Sequence, residues 1–419
     1  MRPAFHFTAE SGWINDPHGL TFHNGTYHLF HQYVPDSLVW APNCHWGHAT
    51  SPDLLTWSRR GVAIAPGDGD DGIWTGSLAE DGDEARILYT SVALPNLGLG
   101  RVRSATPDDG DWNSWTKGDI VVTPPDDLDL IAFRDPFVIR EHESWRMFVG
   151  AATRDGRALA LTYTSDDLGA WTYDGVALSR STEEVEPVWM GALWECPQIF
   201  DVDGHWVMVS SVWDDDVLHY AGYATGGPDS YRDGRFSPTH WGQLSHGSSY
   251  YAPSFFRDRD GRPCLIFWMR DVVDEEHGWA SCLSIPYVLS VHEGGLVAEP
   301  HPEVTGRRRD LLGAGADAAA FDLEWRPTTG DLLTLGSPAG ESVRFTVEGP
   351  RIVMERPGHK PCSMPWSGGD VRVIADGPVV EVSSAGGLMG GPIEPASTWA
   401  SRPGSCTAWS LADAAPERR

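Results

Sequence analysis

The sequence predicts an all-β fold, a five-bladed β-propeller followed by a small C-terminal β-sandwich. Three observations predict it. Runs with a strand's composition recur: Tyr27-His28-Leu29-Phe30-His31-Gln32-Tyr33, Arg86-Ile87-Leu88-Tyr89-Thr90, Trp145-Arg146-Met147-Phe148-Val149, Trp206-Val207-Met208-Val209-Ser210 and Cys264-Leu265-Ile266-Phe267-Trp268. Their starts lie about sixty residues apart, room for the four short strands of a propeller blade. A turn pair stands before each run: Asn24-Gly25, Asp81-Gly82, Glu143-Ser144, Asp203-Gly204 and Asp260-Gly261. Finally, one short phrase repeats, polar or acidic residues, then Pro, then strand formers. It reads Asn15-Asp16-Pro17, Arg134-Asp135-Pro136-Phe137-Val138-Ile139, Glu195-Cys196-Pro197-Gln198-Ile199-Phe200 and, without an acid, Tyr251-Ala252-Pro253-Ser254-Phe255-Phe256.

The elements follow in order. Trp13-Ile14-Asn15-Asp16-Pro17-His18-Gly19-Leu20 opens the first repeat. Alone, Asn-Asp-Pro is an ordinary turn signal; its recurrence gives it weight. A second marker trails three repeats: Ser51-Pro52-Asp53 with Trp57, Thr106-Pro107-Asp108 with Trp112, and Thr164-Ser165-Asp166 with Trp171. The repeats make five blades within residues 1–300. After Leu283-Ser284-Ile285-Pro286 the pattern loosens, and residues 301–320 read as a linker with room for a short helix. Alternation returns from Phe321, in Leu332-Leu333-Thr334-Leu335, Val343-Arg344-Phe345-Thr346-Val347, Arg351-Ile352-Val353-Met354, Val371-Arg372-Val373-Ile374 and Val379-Val380-Glu381-Val382. Gly and Pro separate these runs, so residues 321–419 read as a small antiparallel sandwich. Ala414 to Arg419 read as a frayed end.

Composition bounds the function. The chain has 419 residues, 41% of them hydrophobic, enough for a large core. A net charge of −28, with no basic stripe beyond Arg307-Arg308-Arg309, argues against nucleic acid and anionic membranes as partners. The 20 Trp residues suit either blade packing or the flat faces of a sugar site. The cysteines at 44, 196, 264, 282, 362 and 406 have no CxxC spacing and read as reduced, mostly buried thiols. Met1 to Glu10 shows no signal segment and no stretch approaches a membrane span, which predicts a cytoplasmic protein.

Asp16, Asp135 and Glu195 each precede a marker strand by about ten residues, the equivalent place in a ring of repeats. They should therefore converge on one mouth of the axial channel. Three carboxylates among aromatic residues suit glycosidic bond cleavage, in which one carboxyl protonates the leaving oxygen and another attacks carbon or activates water. The two need different surroundings. Glu195, between Trp194 and Cys196-Pro197, is expected in an apolar setting that favours its acid form. Asn15 would keep Asp16 ionised, and Arg134 would hold Asp135 charged. No metal or cofactor is called for. His28-x-x-His31 and His45-x-x-His48 are poor ligand pairs, because strand residues three apart face opposite sides.

At these residues the sequence resembles glycoside hydrolase family 32, the β-fructofuranosidases. The family's Trp-Met-Asn-Asp-Pro-Asn-Gly is similar to Trp13-Ile14-Asn15-Asp16-Pro17-His18-Gly19, its Arg-Asp-Pro to Arg134-Asp135-Pro136, and its Glu-Cys-Pro to Glu195-Cys196-Pro197. Phe30-His31-Gln32, Trp46-Gly47-His48-Ala49, Asp53-Leu54 with Trp57, and Trp74-Thr75-Gly76-Ser77 resemble further family motifs. Ile14, His18, Trp74 and Ser249 depart from the pattern; many members carry Asp where Ser249 stands. The resemblance implies the propeller with its sandwich and a retaining double displacement. It makes Asp16 the nucleophile, Glu195 the acid/base and Asp135 the transition-state stabiliser. Asn15, Gln32, Trp40, Trp74, Thr75 and Arg134 would line the terminal fructose pocket.

The expected substrate is a small neutral β-fructofuranoside, sucrose foremost, with fructose released from the non-reducing end. A fructan exohydrolase or fructosyltransferase of the same family shares this first subsite. An inverting propeller glycosidase acting on arabinans or xylans would set its acids about 6.5–9.5 Å apart rather than about 5–5.5 Å. A sugar-binding propeller without catalysis is the alternative from another class.

Overall fold

The computed structural model describes residues 1–82, 84–402 and 405–412; the end expected to fray, Ala414 to Arg419, lies outside them. Four-stranded antiparallel blades follow one another. Blade one is Gly12–His23, Thr26–Val34, His45–Ser51 and Ser58–Ile64. Blade two is Gly72–Asp81, Glu84–Ala93, Asn96–Pro107 and Trp115–Val122. Blade three is Leu130–Glu141, Ser144–Thr153, Arg157–Ser165 and Thr172–Ser181. Blade four is Leu193–Val202, His205–Asp214, Val217–Gly226 and His240–Gln243. Blade five is Tyr250–Arg257, Pro263–Asp274, Tyr287–His292 and Gly295–Pro300. The first strand of each blade touches the first strand of the next, and Tyr250–Arg257 returns to Gly12–His23. Five blades therefore close a ring, with those strands around its axis. Trp279–Leu283 helps the closure by pairing in parallel with Gly12 and Trp13. The marker runs are the second strand of each blade.

Apolar faces of neighbouring blades form the core. Leu88, Val102, Phe133 and Val149 pack between blades two and three, and Phe30, Trp46, Ile87 and Tyr89 between blades one and two. Tryptophan divides between two settings: Trp46, Trp194, Trp279 and Trp325 are fully buried, whereas Trp13, Trp40, Trp74, Trp213 and Trp268 line a cavity. All six cysteines are unpaired, and Cys44, Cys196, Cys264 and Cys282 are buried. His28 Nδ1 faces His48 Nε2 at 3.1 Å within blade one, while His31 turns to the Gln32 carbonyl. Asp258, Cys264 and His301 also cluster, but Asp258 is committed to Arg262 Nε at 2.5 Å and His301 Nε2 at 3.0 Å. Among the described residues no helix is long and apolar enough to cross a membrane.

The C-terminal part packs a seven-stranded sheet on a five-stranded one around Leu323, Trp325, Leu335, Phe345, Val373 and Val382. The stretch expected as a linker holds a helical turn, Pro302–Gly306, and an edge strand of the larger sheet, Arg308–Leu312. Arg307 pairs with Asp53 at 2.5 Å, and Arg308 pairs with Asp322 and Glu324 at 2.7 Å and lies over the Trp409 ring. Ser245–His246, just before blade five, adds a parallel strand to the same sheet. Behind it, His6 is buried between Asp376 Oδ2 and Glu381 Oε1, both at 2.7 Å. Glu381 also accepts from Ile285 N–H and the hydroxyls of Tyr250 and Tyr287. One polar cluster thus ties the N-terminal segment, blade five and the sandwich together.

Candidate active site

The ladder of every innermost strand breaks at the same level. The irregularities fall between Ile14 and Pro17, Trp74 and Gly76, Arg134 and Phe137, Glu195 and Gln198, and Tyr251 and Ser254. Proline has no N–H to extend the ladder, and the skipped residues form a bulge that re-aims side chains. Asp135, Cys196 and Ala252, each just before its Pro, are left-handed, with φ of 64°, 50° and 45°. Such strain costs about 1–3 kcal/mol per residue and collects at functional sites. The repeated phrase is therefore a bulge inside the innermost strand rather than a turn ahead of it.

The bulges surround one cavity of about 650 Å³. Asp16, Asp135 and Glu195 line it, with Asn15, Gln32, Trp40, Trp74 and Arg134. Thr75 does not; it is buried behind Asp16, donating to Oδ2 at 2.7 Å and accepting from Gln32 Nε2 at 2.5 Å. It lies behind because the blade-two bulge turns Trp74, not Thr75, toward the opening. The Trp74 indole N–H is spent on the Pro42 carbonyl at 2.9 Å, and its ring stands edge-on to Trp40 at 5.7 Å.

The three carboxylates have unlike surroundings. Asp16 Oδ2 also takes Gln32 Nε2 at 3.2 Å, and Oδ1 takes Asn15 Nδ2 at 3.1 Å. Burial nevertheless pushes the Asp16 carboxyl upward, against its hydrogen bonds from Thr75 and Asn15. Asp135 accepts the Cys196 N–H at 2.9 Å, and burial lifts it to about 7, opposed by Arg134. Glu195 is held from both sides. Arg134 gives Nε and Nη2 to Oε1, at 3.2 and 2.8 Å, and the Tyr251 hydroxyl gives its proton to Oε2 at 2.7 Å.

Two expectations are corrected here. Arg134 does not hold Asp135 charged; it reaches blade four instead. Nor is Glu195 in an apolar setting, since it lies between a guanidinium and a phenol. Strand alternation turns Trp194 away from Glu195, and the bulge at Asp135 sends Arg134 and Asp135 into the one cavity, where each meets blade four. Trp194 faces the blade core, not Glu195.

The cavity wall includes residues the sequence reading missed: Trp13, Trp213, Asp216, Tyr251, Trp268, Arg270 and Asp271. Tyr251 was detectable, because it stands two places before a Pro, as Asn15, Arg134 and Glu195 do. Ser249, one of the departures, is buried away from the cavity.

Residues 6–300 match the family model described as the glycosyl hydrolases family 32 N-terminal domain. The chain belongs to glycosyl hydrolase family 32. Within the family it is similar to a sucrose-6-phosphate hydrolase of Escherichia coli, 31% identical over 91% of this chain and 86% of that protein. A raffinose invertase of Escherichia coli is 31% identical over 83% of this chain and 77% of its own length. Among solved structures, a family 32 β-fructofuranosidase of Bombyx mori superposes with a TM-score of 0.84, at 23% identity, covering 98% of this chain and 94% of that one. A fructan 1-exohydrolase of Cichorium intybus gives 0.79 at 20% identity, covering 99% and 98%. These likenesses show the shared propeller and sandwich. With the family model and the curated relatives, they make this family 32 chain a glycoside hydrolase of the β-fructofuranosidase type.

Proposed function

We propose that the chain releases fructose from the non-reducing end of small neutral β-fructofuranosides, sucrose foremost, by a retaining double displacement. The observation that carries this is the unequal setting of Asp16 and Glu195 in one cavity. Asp16 is the nucleophile. Its Oδ2 is engaged by Thr75 and Gln32, which leaves Oδ1, beside the Asn15 amide, to attack the anomeric carbon. Glu195 is the acid/base. Arg134 occupies Oε1 with two donors, so the mobile proton belongs on Oε2. As the C–O bond breaks, that proton goes to the departing oxygen. Tyr251, whose hydroxyl also lies 3.4 Å from the Val212 carbonyl, turns back to Oε2 once the carboxylate forms. The carboxylate then takes a proton from water, which opens the fructosyl ester on Asp16. Asp135, on the adjoining bulge, holds sugar hydroxyls and stabilises positive charge on the ring.

All these groups come from residues 1–300, which we take as the catalytic domain, with 301–320 connecting it to the sandwich of 321–419. The wall of the cavity supports a neutral substrate: Asp16, Asp135, Glu195, Asp216 and Asp271 face only Arg134 and Arg270. The same reasoning sets sucrose ahead of its 6-phosphate, which the Escherichia coli relative is named for. A variant of the Bombyx mori protein was solved with sucrose bound. Product analysis on sucrose, sucrose 6-phosphate, kestose, inulin and levan tests the proposal. Higher kcat/KM on sucrose 6-phosphate than on sucrose would refute the neutral assignment.

A further inference from the structure

Arg270 is a charged cavity residue with no place in the mechanism above. It lies in Pro263–Asp274 of blade five, where pairing to Trp279–Leu283 breaks between Met269 and Val273. Its side chain reaches blade four, with Nη1 donating to the Leu218 carbonyl at 3.0 Å and Nη2 to the His219 carbonyl at 3.4 Å. The guanidinium carbon sits 5.0 Å from the centre of the Tyr251 ring. Among the described residues no carboxylate lies within ion-pair distance, and its Nε is buried without a partner. Arg270 is partly buried, and a cation partly withdrawn from water with no paired carboxylate is destabilising, which calls for a role. The ring it covers carries the hydroxyl that binds Glu195 Oε2 at 2.7 Å.

We propose that Arg270 is a positioning residue for the acid/base group. It clamps the Tyr251 ring between blades four and five, keeping the hydroxyl on Glu195 Oε2, and it adds a second positive charge to that of Arg134. A cation over the ring face also strengthens the phenol as a donor. The inference rests on the assignment of Glu195 made above. The other charged or titratable groups facing Glu195 are Arg134 and Asp135 of blade three, Asp16 of blade one and Cys196 beside it. Asp216 and Asp271 share the cavity wall, and Arg356 of the sandwich acts on Asp271 from outside it.

The test is kcat/KM for sucrose against pH in the wild type, Arg270→Gln, Arg270→Lys, Tyr251→Phe and the Gln/Phe double variant. Arg270→Gln should lower kcat about 3- to 10-fold with KM within about twofold, and move the alkaline limb up by about half to one pH unit, the direction for a carboxylate that loses a nearby cation. Arg270→Lys should restore the limb. Tyr251→Phe should move it the same way, and Arg270→Gln on that background should add less than about twofold, because the effect runs through the ring. If the Gln variant does not fold, Arg270→Met takes its place with the same expectations. A raised KM with kcat and limb unmoved would place Arg270 on the leaving sugar and overturn the proposal, as would full additivity with Tyr251→Phe. Glu195→Ala measured alongside separates the layers. Surviving sucrose turnover there removes the acid/base assignment; a dead Glu195→Ala with an unmoved Arg270→Gln limb removes only the role of Arg270.

Discussion

Arg134 donates Nε and Nη2 to one oxygen of Glu195, at 3.2 and 2.8 Å, while its neighbour Asp135 takes the Cys196 N–H. The contact joins blade three to blade four and leaves the other Glu195 oxygen for proton transfer. Arg134→Lys keeps the charge but not the two-pronged geometry. It should lower kcat on sucrose about 10- to 100-fold, and Arg134→Ala about 10²- to 10⁴-fold, the range for losing general acid–base help. Steady-state kinetics check this. A wild-type rate in Arg134→Ala would mean that Glu195 does not need its partner.

Asp135 links activity to stability through pH. Burial raises its folded value to about 7 from the ordinary 3.8. The sign follows: the folded chain prefers the protonated form, and stability is lost as pH rises through about 7. If Asp135 must be ionised to stabilise charge on the sugar, kcat/KM should fall as pH drops below about 7. Asp135→Asn removes the buried charge. It should raise the melting temperature at pH 8 by about 2–5 °C while reducing turnover at least about 10²-fold. Calorimetry at pH 5 and 8 checks the first half; the gain should shrink at the lower pH and vanish only below the ordinary 3.8.

The propeller and the three acids were legible in the sequence, because both depend on repetition; of the cavity wall, Asn15, Gln32, Trp40, Trp74 and Arg134 were named through the family resemblance. The bulge of the innermost strand recurs with a Pro in blades one, three, four and five, so Asp16, Asp135 and Glu195 could be placed together without coordinates. What side chains do across blades was not legible. Arg134 meets Glu195 from 61 positions away, and Tyr251 meets it from 56. A chain read in order instead suggested Arg134 with Asp135 and Trp194 with Glu195. The edge strand Arg308–Leu312 was missed for a similar reason. Its partners Asp322, Glu324 and Ser405–Leu411 lie later in the chain.

His6 gives a second pH window. Its two carboxylate partners raise it to about 9, against the opposing effect of burial. Because the folded value lies above the unfolded 6.5, its stabilisation is complete below pH 6.5 and is lost as pH rises through about 9. The contact between the sandwich and the propeller should therefore weaken between about pH 6.5 and 9. Melting temperature across that range, with limited proteolysis of residues 301–320, reads the effect. His6→Gln should flatten the pH dependence, and a curve as steep as the wild type's would place the titration elsewhere.

The division of labour between Asp16 and Glu195 admits the sharpest test. Without Asp16 no fructosyl ester can form, so Asp16→Ala should abolish turnover of every substrate. Glu195 matters most where the leaving group is poor, as with the glucose of sucrose, and help of this kind is worth about 10²–10⁴-fold. An activated aryl β-fructoside needs little protonation, so Glu195→Ala should keep a rapid first step there. The fructosyl-enzyme should then accumulate, since no base remains to activate water. Azide needs no base, and it should restore part of the turnover in Glu195→Ala but none in Asp135→Asn, which lacks charge stabilisation in both steps. Proton NMR of the first fructose released by the wild type should show the β anomer, because two displacements at one carbon restore its configuration. An α anomer would transfer the reading to direct attack by water, and azide rescue at Asp135 rather than Glu195 would exchange the roles of those two acids.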